Sequence, residues 1–233
     1  MSLPTEDHRP GRPVDFSGAR IGWLGDFGGH LPFEPGVLEL CREALAVLAA
    51  LGAAVTDVPV GFDMDRLWRG WRIYRHFLVA GAQGADYADP QKRAMMKPEM
   101  VWEIENGLRL SASDVHAASA TRSDWYRYVL DLFAAYDFLV LPAAQVFPFD
   151  VTLDWPKEIA GRAMDTYHRW MEVVIGPTMA GLPVAAMPAG FGPAGLPAGI
   201  QIIGRPRADR AVLQLAAAYE AQVDWLERRP VLG

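Results

Sequence analysis

At 233 residues with a formal net charge of -6, the chain can bury one sizeable core, and it lacks the basic surplus that nucleic acid or an anionic membrane demands of a partner. Hydrophobic residues make up 51%, and with glycine counted in place of tyrosine the apolar share exceeds the usual ~45–50%, which predicts apolar surface meant for another subunit or another part of a longer chain. The single cysteine, Cys41, excludes an intrachain disulfide framework; with no basic segment and apolar core opening the chain, a cytoplasmic protein is the expectation.

Residues 1–14, rich in proline and charge, read as a tail or linker, and residues 15–233 as a single α/β domain. The run 19–24 predicts a short strand, followed by a glycine-rich turn over 25–29. Pro35 stands where a first helical residue belongs, Val37, Leu40, Cys41, Ala44, Leu45, Leu48 and Leu51 recur at helical spacing, and Gly52 closes the helix. A second strand over 53–58 completes a segment with the length of a right-handed βαβ crossover. The middle is helical over 64–83, over 98–108, and in a long helix capped by Ser113 that runs to Tyr136. Residues 137–142 read as a buried strand ending at Pro142, 143–157 as a loop, and 165–175 as a helix. Asp209 is expected to cap a last helix reaching Gln222.

Residues 173–204 carry no charged side chain. Pro177, Pro183, Pro188, Pro193 and Pro197 each remove a backbone donor, which excludes a membrane span. Two buried strands around a tight turn fit instead, and a continuous apolar reading predicts that helices cover them on both faces. Gly190 to Gly195 spells GxGxxG, but an apolar strand-like run follows where a phosphate-binding helix would be needed, so the segment is a turn and implies no nucleotide cofactor.

The side chains with chemical potential have plainer uses. Cys41 lies on the apolar stripe of its helix and reads as a structural thiol. His168 and Glu172 stand four apart, but without a third ligand they read as a surface polar pair rather than a metal site. Ser111, Ser113, Ser119 and Ser123 cluster near a helix start, where capping and surface roles dominate. The lysines are Lys92, Lys97 and Lys157, none beside a glycine-rich serine loop, and no GxSxG elbow, zinc spacing or P-loop occurs. Residue chemistry alone supplies no catalytic residue, no metal site and no cofactor.

Two long segments nonetheless carry a resemblance. GPTMAGLPVAAMPAGF at 176–191 and GLPAGIQIIGRP at 195–206, with GARIG at 18–22 and KPE at 97–99 in the same order, resemble the C-terminal half of amidase-signature hydrolases. The resemblance implies a partial mixed β-sheet flanked by helices. It also implies hydrolysis of an amide by a serine–serine–lysine triad, in which a lysine acts through one serine to activate another while backbone amides hold the oxyanion. That machinery belongs to the family's first half. This sequence has no adjacent serine pair, and no catalytic residue carries over.

What the resemblance does imply is the wall of an acyl pocket for a small-molecule amide: the region after Pro142, the turn at Thr178 and Met179, and Gln201 near the floor. Thr178 stands where many members have Asn. The expectation is a truncated or split amidohydrolase, inactive alone, whose partner is the missing N-terminal half. The alternative is a non-catalytic subunit or binding module that completes a triad-bearing chain. Sheet edges left open by a missing half predict a homo-oligomer.

Overall fold

The computed structural model describes residues 14–225 and Arg228, so the expected tail over 1–14 lies, Val14 apart, outside the described residues. Two compact units emerge, one holding the chain up to Val60 and from Leu130 onward, the other Gly61–Val129.

The first unit is built on a five-stranded sheet. Strand β1 (Arg20–Trp23), helix α1 (Val37–Ala50) and strand β2 (Ala54–Asp57) form the anticipated βαβ unit, with β2 parallel to β1. Val37, Leu40, Cys41, Ala44, Leu45 and Leu48 bury one stripe of α1, the apolar face that drives a helix onto a sheet. Gly52 turns the chain in the left-handed region, and a Cβ there would stand 2.9 Å from the Ser17 backbone, so only glycine fits. Strand β3 (Phe138–Pro142), buried throughout, runs parallel to β1 on its other side. Strand β7 (Pro197–Ile203) pairs antiparallel with β3, and β6 (Val184–Phe191) antiparallel with β7, giving the order β2-β1-β3-β7-β6. The sheet is mixed and flanked by helices, as the fold class required. Helix α7 (Asp209–Glu220) buries Val212, Leu215, Ala216 and Tyr219.

Several expectations need correction. β6 is not covered on both faces: it is the last strand of the sheet, with Val184, Ala186 and Pro188 exposed in alternation. The expected helix over 165–175 is a 3-10 segment at Arg169–Val174 that runs into helix α6 (Ile175–Ala180), so Thr178 and Met179 lie in a helix rather than a turn. Gly181 ends α6 in the left-handed region, with Gly181 N donating to Thr178 O and Leu182 N to Pro177 O, a Schellman closure. Ala208, not Asp209, holds the N-cap position of α7. A small hairpin, β4 (Glu158–Ile159) with β5 (Arg162–Ala163), interrupts the stretch beyond the predicted loop.

The second unit is helical: α2 (Met64–Ala88), α3 (Pro90–Arg93), α4 (Pro98–Leu108) and most of α5 (Ala112–Ala135). Asp63 caps α2 by accepting from Arg66 N. α2 runs past its expected end at 83 because its later turns hold α4, where the Tyr87 hydroxyl donates to Glu105. The two helices approach so closely that a Cβ on Gly107 would collide with the His76 carbonyl. The cap of α5 is Ser111 rather than Ser113: Asp114 N donates to Ser111 Oγ, and Ser111 N to the Asp114 carboxylate. Among the described residues no helix is long and apolar enough to cross a membrane.

Candidate functional site

β2 follows β1 on one side of it and β3 lies on the other, which makes the carboxyl ends of β1 and β3 a topological switch point, the place where open α/β sheets present a crevice. Two loops leave those ends, and Gln145 ties them together. Fully buried, it donates from Nε2 to Pro32 O at 3.0 Å and accepts at Oε1 from Val173 N at 3.1 Å, while its carbonyl accepts from Glu34 N at 2.8 Å. Glu34 in turn accepts from Phe147 N at 2.9 Å.

A charged network lies beside this clamp. Glu172, 3% exposed, pairs with His30 Nε2 at 2.8 Å and accepts from Arg169 at 2.7 Å, and Arg169 also binds Asp165. Burial works against the Arg169 charge, but its bonds to Glu172 and Asp165 outweigh that and raise its pKa. Arg162, on the small hairpin, donates to the carbonyls of Gly29 and His30. The glycine-rich turn after β1 is thus held in place from the other end of the sequence. The expected surface pair of His168 and Glu172 is instead buried on both members, because Arg169 and His30 satisfy the carboxylate. Glu34, Gln145 and His30 carry no local sequence signal; each acts on a residue more than a hundred positions away or through backbone.

Of the residues singled out for substrate contact, Gln201 is buried on β7 and donates to Pro142 O at 2.8 Å, fixing the end of β3. Thr178 is exposed, with its hydroxyl turned back onto Val174 O at 2.8 Å. Met179 is buried in α6. α6 leads through Gly181 into β6, the neighbour of β7, while Gln201 lies opposite Leu141 at the end of β3.

Among the described residues no serine hydroxyl bonds a lysine. Ser111 is occupied in its cap, Ser123 Oγ donates to Ser119 O, Lys92 pairs with Asp86, Lys157 lies over the Trp155 ring, and Lys97 is exposed at the start of α4. Cys41 is buried, and desolvation pushes its thiol up to about 12, the wrong direction for a nucleophile. Among the described residues no group of three or more His, Cys, Asp or Glu side chains could hold a metal ion.

Comparison with known proteins points one way. A family model described as Amidase matches residues 3–213. An acylamidase of Rhodococcus erythropolis is 30% identical over 93% of this chain and 45% of its own length, and a glutamyl-tRNA(Gln) amidotransferase subunit of Moorella thermoacetica is 27% identical over 99% and 50% respectively. A solved bacterial aryl acylamidase of the amidase-signature family superposes with a TM-score of 0.82 at 24% identity, over 93% of this chain and 47% of that one. The chain spans about half the length of the curated relatives it matches.

Proposed function

The chain belongs to the amidase family, and from that premise we propose that it supplies the sheet scaffold and one wall of the acyl pocket of a carbon–nitrogen hydrolase whose serine–lysine machinery is carried by a complementary half. The observation that carries this reading is the coincidence of half-length family coverage with a sequence that has no adjacent serine pair. Acyl transfer needs a nucleophile within hydrogen-bond reach of its base, and the hydroxyls and amines described above are engaged elsewhere or exposed. The clamped crevice at β1 and β3 supports the wall role: a rigid shell holds a small amide in place while another segment attacks its carbonyl. Thr178, Met179 and Gln201 are the residues assigned to that wall, with Gln201 acting through the end of β3.

The decisive experiment mixes this chain with the portion of the Rhodococcus acylamidase that it does not match. Alone, the chain is expected to leave an anilide substrate intact and to take no label from a serine-directed fluorophosphonate. Mixed, it is expected to restore hydrolysis. Turnover by the isolated chain that survives substitution of every serine would refute the assignment.

A second reading, a non-catalytic subunit completing a triad-bearing chain in the cytoplasm, draws on the relative that is itself named as a subunit. It differs in predicting that a natural partner polypeptide co-purifies with this chain. The apolar excess and the exposed last strand support assembly in either case, including a homo-oligomer.

A further inference from the structure

His76 and His30 each pair with a buried glutamate that also holds an arginine, and the two settings differ. His76 lies in the middle of α2, with Nδ1 2.6 Å from Glu103, Arg75 on the same carboxylate and the Trp102 ring set edge-on at 4.8 Å. That group belongs to the packing between α2 and α4. His30 stands instead on the loop that leaves the carboxyl end of β1. Its Nε2 is 2.8 Å from Glu172, whose other oxygen accepts from Arg169, and its side chain is 18% exposed.

The loop fixes this ring from several sides. The backbone is left-handed at Gly25, Phe27, Gly28 and Gly29, and Leu31 N closes the turn onto Asp26 O at 2.9 Å. Arg162 donates to the His30 carbonyl at 2.8 Å. A carboxylate held by arginine is ionised and can only accept, so Nε2 is the donor and the neutral ring presents Nδ1 as a bare acceptor. Among the described residues Nδ1 has no hydrogen-bond partner. A buried shell that locks one ring nitrogen and leaves the other open is the arrangement a ligand contact needs.

We propose that His30 Nδ1 is a specificity contact of the crevice at β1 and β3, accepting a hydrogen bond from an O–H or N–H group on the acyl part of the amide. The substrate class narrows accordingly to small amides whose acyl group carries such a donor. Glu172, Arg169 and Arg162 are positioning residues for the ring. An acceptor held this way discriminates, because a ligand without the donor strips water from Nδ1 and returns nothing. This inference rests on the functional reading above, in which the crevice receives an amide, and its test has an arm that needs no hydrolysis.

The chain, carrying isotope-labelled histidine, is titrated in mildly alkaline buffer with α-, β- and γ-hydroxyacyl anilides and with their methyl ethers, and the imidazole nitrogens are followed by NMR. The signal missing from His30→Asn identifies His30. At least one hydroxyacyl anilide is expected to shift His30 Nδ1 while His76 stays unmoved, with its methyl ether binding about tenfold more weakly. The same compounds are then given to the mixture with the unmatched portion of the Rhodococcus acylamidase. There the hydroxyl is expected to raise kcat/KM about tenfold, and His30→Phe, shown to be folded by circular dichroism, to abolish that preference. No shift at His30 with any hydroxyacyl anilide, or equal shifts with the ethers, overturns the contact whether or not the mixture is active. A hydroxyl-dependent shift in the chain alone with no hydrolysis in the mixture sustains the contact and rejects the functional reading instead. Hydrolysis whose hydroxyl preference survives in His30→Phe overturns the contact and leaves that reading standing.

Discussion

The two edges of the sheet are made of different material. β2 is short, ends in Asp57 paired with Arg42, and joins Thr56 to the Tyr136 hydroxyl. β6 is eight residues long, uncharged, and armoured over only its second half. An edge protected by charge and brevity can face water indefinitely; an uncharged run of outward amides tends to find another strand. The contrast teaches that the two edges are protected by different means: charge and brevity on β2, proline, a register shift and a bonded carbonyl on the second half of β6.

The largest effect that sharpens this contrast comes from moving one proline by one residue. Gly204 N donates to Pro183 O, so bonded positions on β6 recur every second residue. Ala185 lies at a bonded position opposite Ile202, whereas Ala186 points outward. Ala185→Pro is expected to cost about 3 kcal/mol or more of folding stability, since it removes a ladder bond and orphans a buried carbonyl on β7. Ala186→Pro is expected to change it by less than about 0.5 kcal/mol. Urea denaturation followed by circular dichroism reads both, and equal costs would mean the register has been misassigned.

A second probe works from beneath the hairpin. Cys41 on α1 sits with Sγ 3.6 Å from Gly199 O, and burial pushes its thiol up to about 12, against about 8.5 in an unfolded chain. A raised pKa means that the folded state favours the neutral thiol, so this contribution is complete below the unfolded value and fades as pH climbs through 9 toward 12. Between pH 9 and 11 the wild type should lose roughly 2–3 kcal/mol that Cys41→Ala does not. Parallel stability curves for the two proteins over that range would show that the thiol is not sealed under β7.

The elements that are legible in the sequence are those whose signal is local. α1 announces itself through 3.6-residue spacing and the obligatory glycine at 52, and β7 through its unbroken apolar run. β6 is legible as a strand but not as an edge, because an uncharged run looks the same whether helices cover it or another strand is to lie beside it. α6 is hidden by its own residues: Pro177 and the flanking glycines resemble a turn, yet proline in a first turn costs a helix no bond and Gly181 simply ends it. The crevice at β1 and β3 is the least legible. Glu172 reads as surface because its partners, Arg169 and above all His30, come together only after 142 positions of chain have folded. Such a contact has no period to detect.

A smaller effect separates the closed half of β6 from its open half. Tyr219→Phe removes the hydroxyl that holds the Pro188 carbonyl and is expected to cost about 1–2 kcal/mol. It should also lengthen the sticky part of the strand, so that light scattering detects association at lower protein concentration than in wild type. Unchanged association would mean that the register shift and Trp225, which packs on Phe191, protect that end without the hydroxyl.

The smallest effect belongs to β2. Asp57 and Arg42 are 69% and 59% exposed as side chains, and an ion pair in that setting is screened by water and salt, so Asp57→Asn should alter stability by less than about 0.5 kcal/mol. Its value lies in what it leaves alone. With the charge gone, β2 remains short and exposed, and light scattering should detect association at the same protein concentration as for the wild type, in sharp distinction from Tyr219→Phe. If Asp57→Asn promoted association as much as Tyr219→Phe does, charge and not brevity would be what keeps β2 in water, and the contrast between the edges would reduce to one protecting side chain on each.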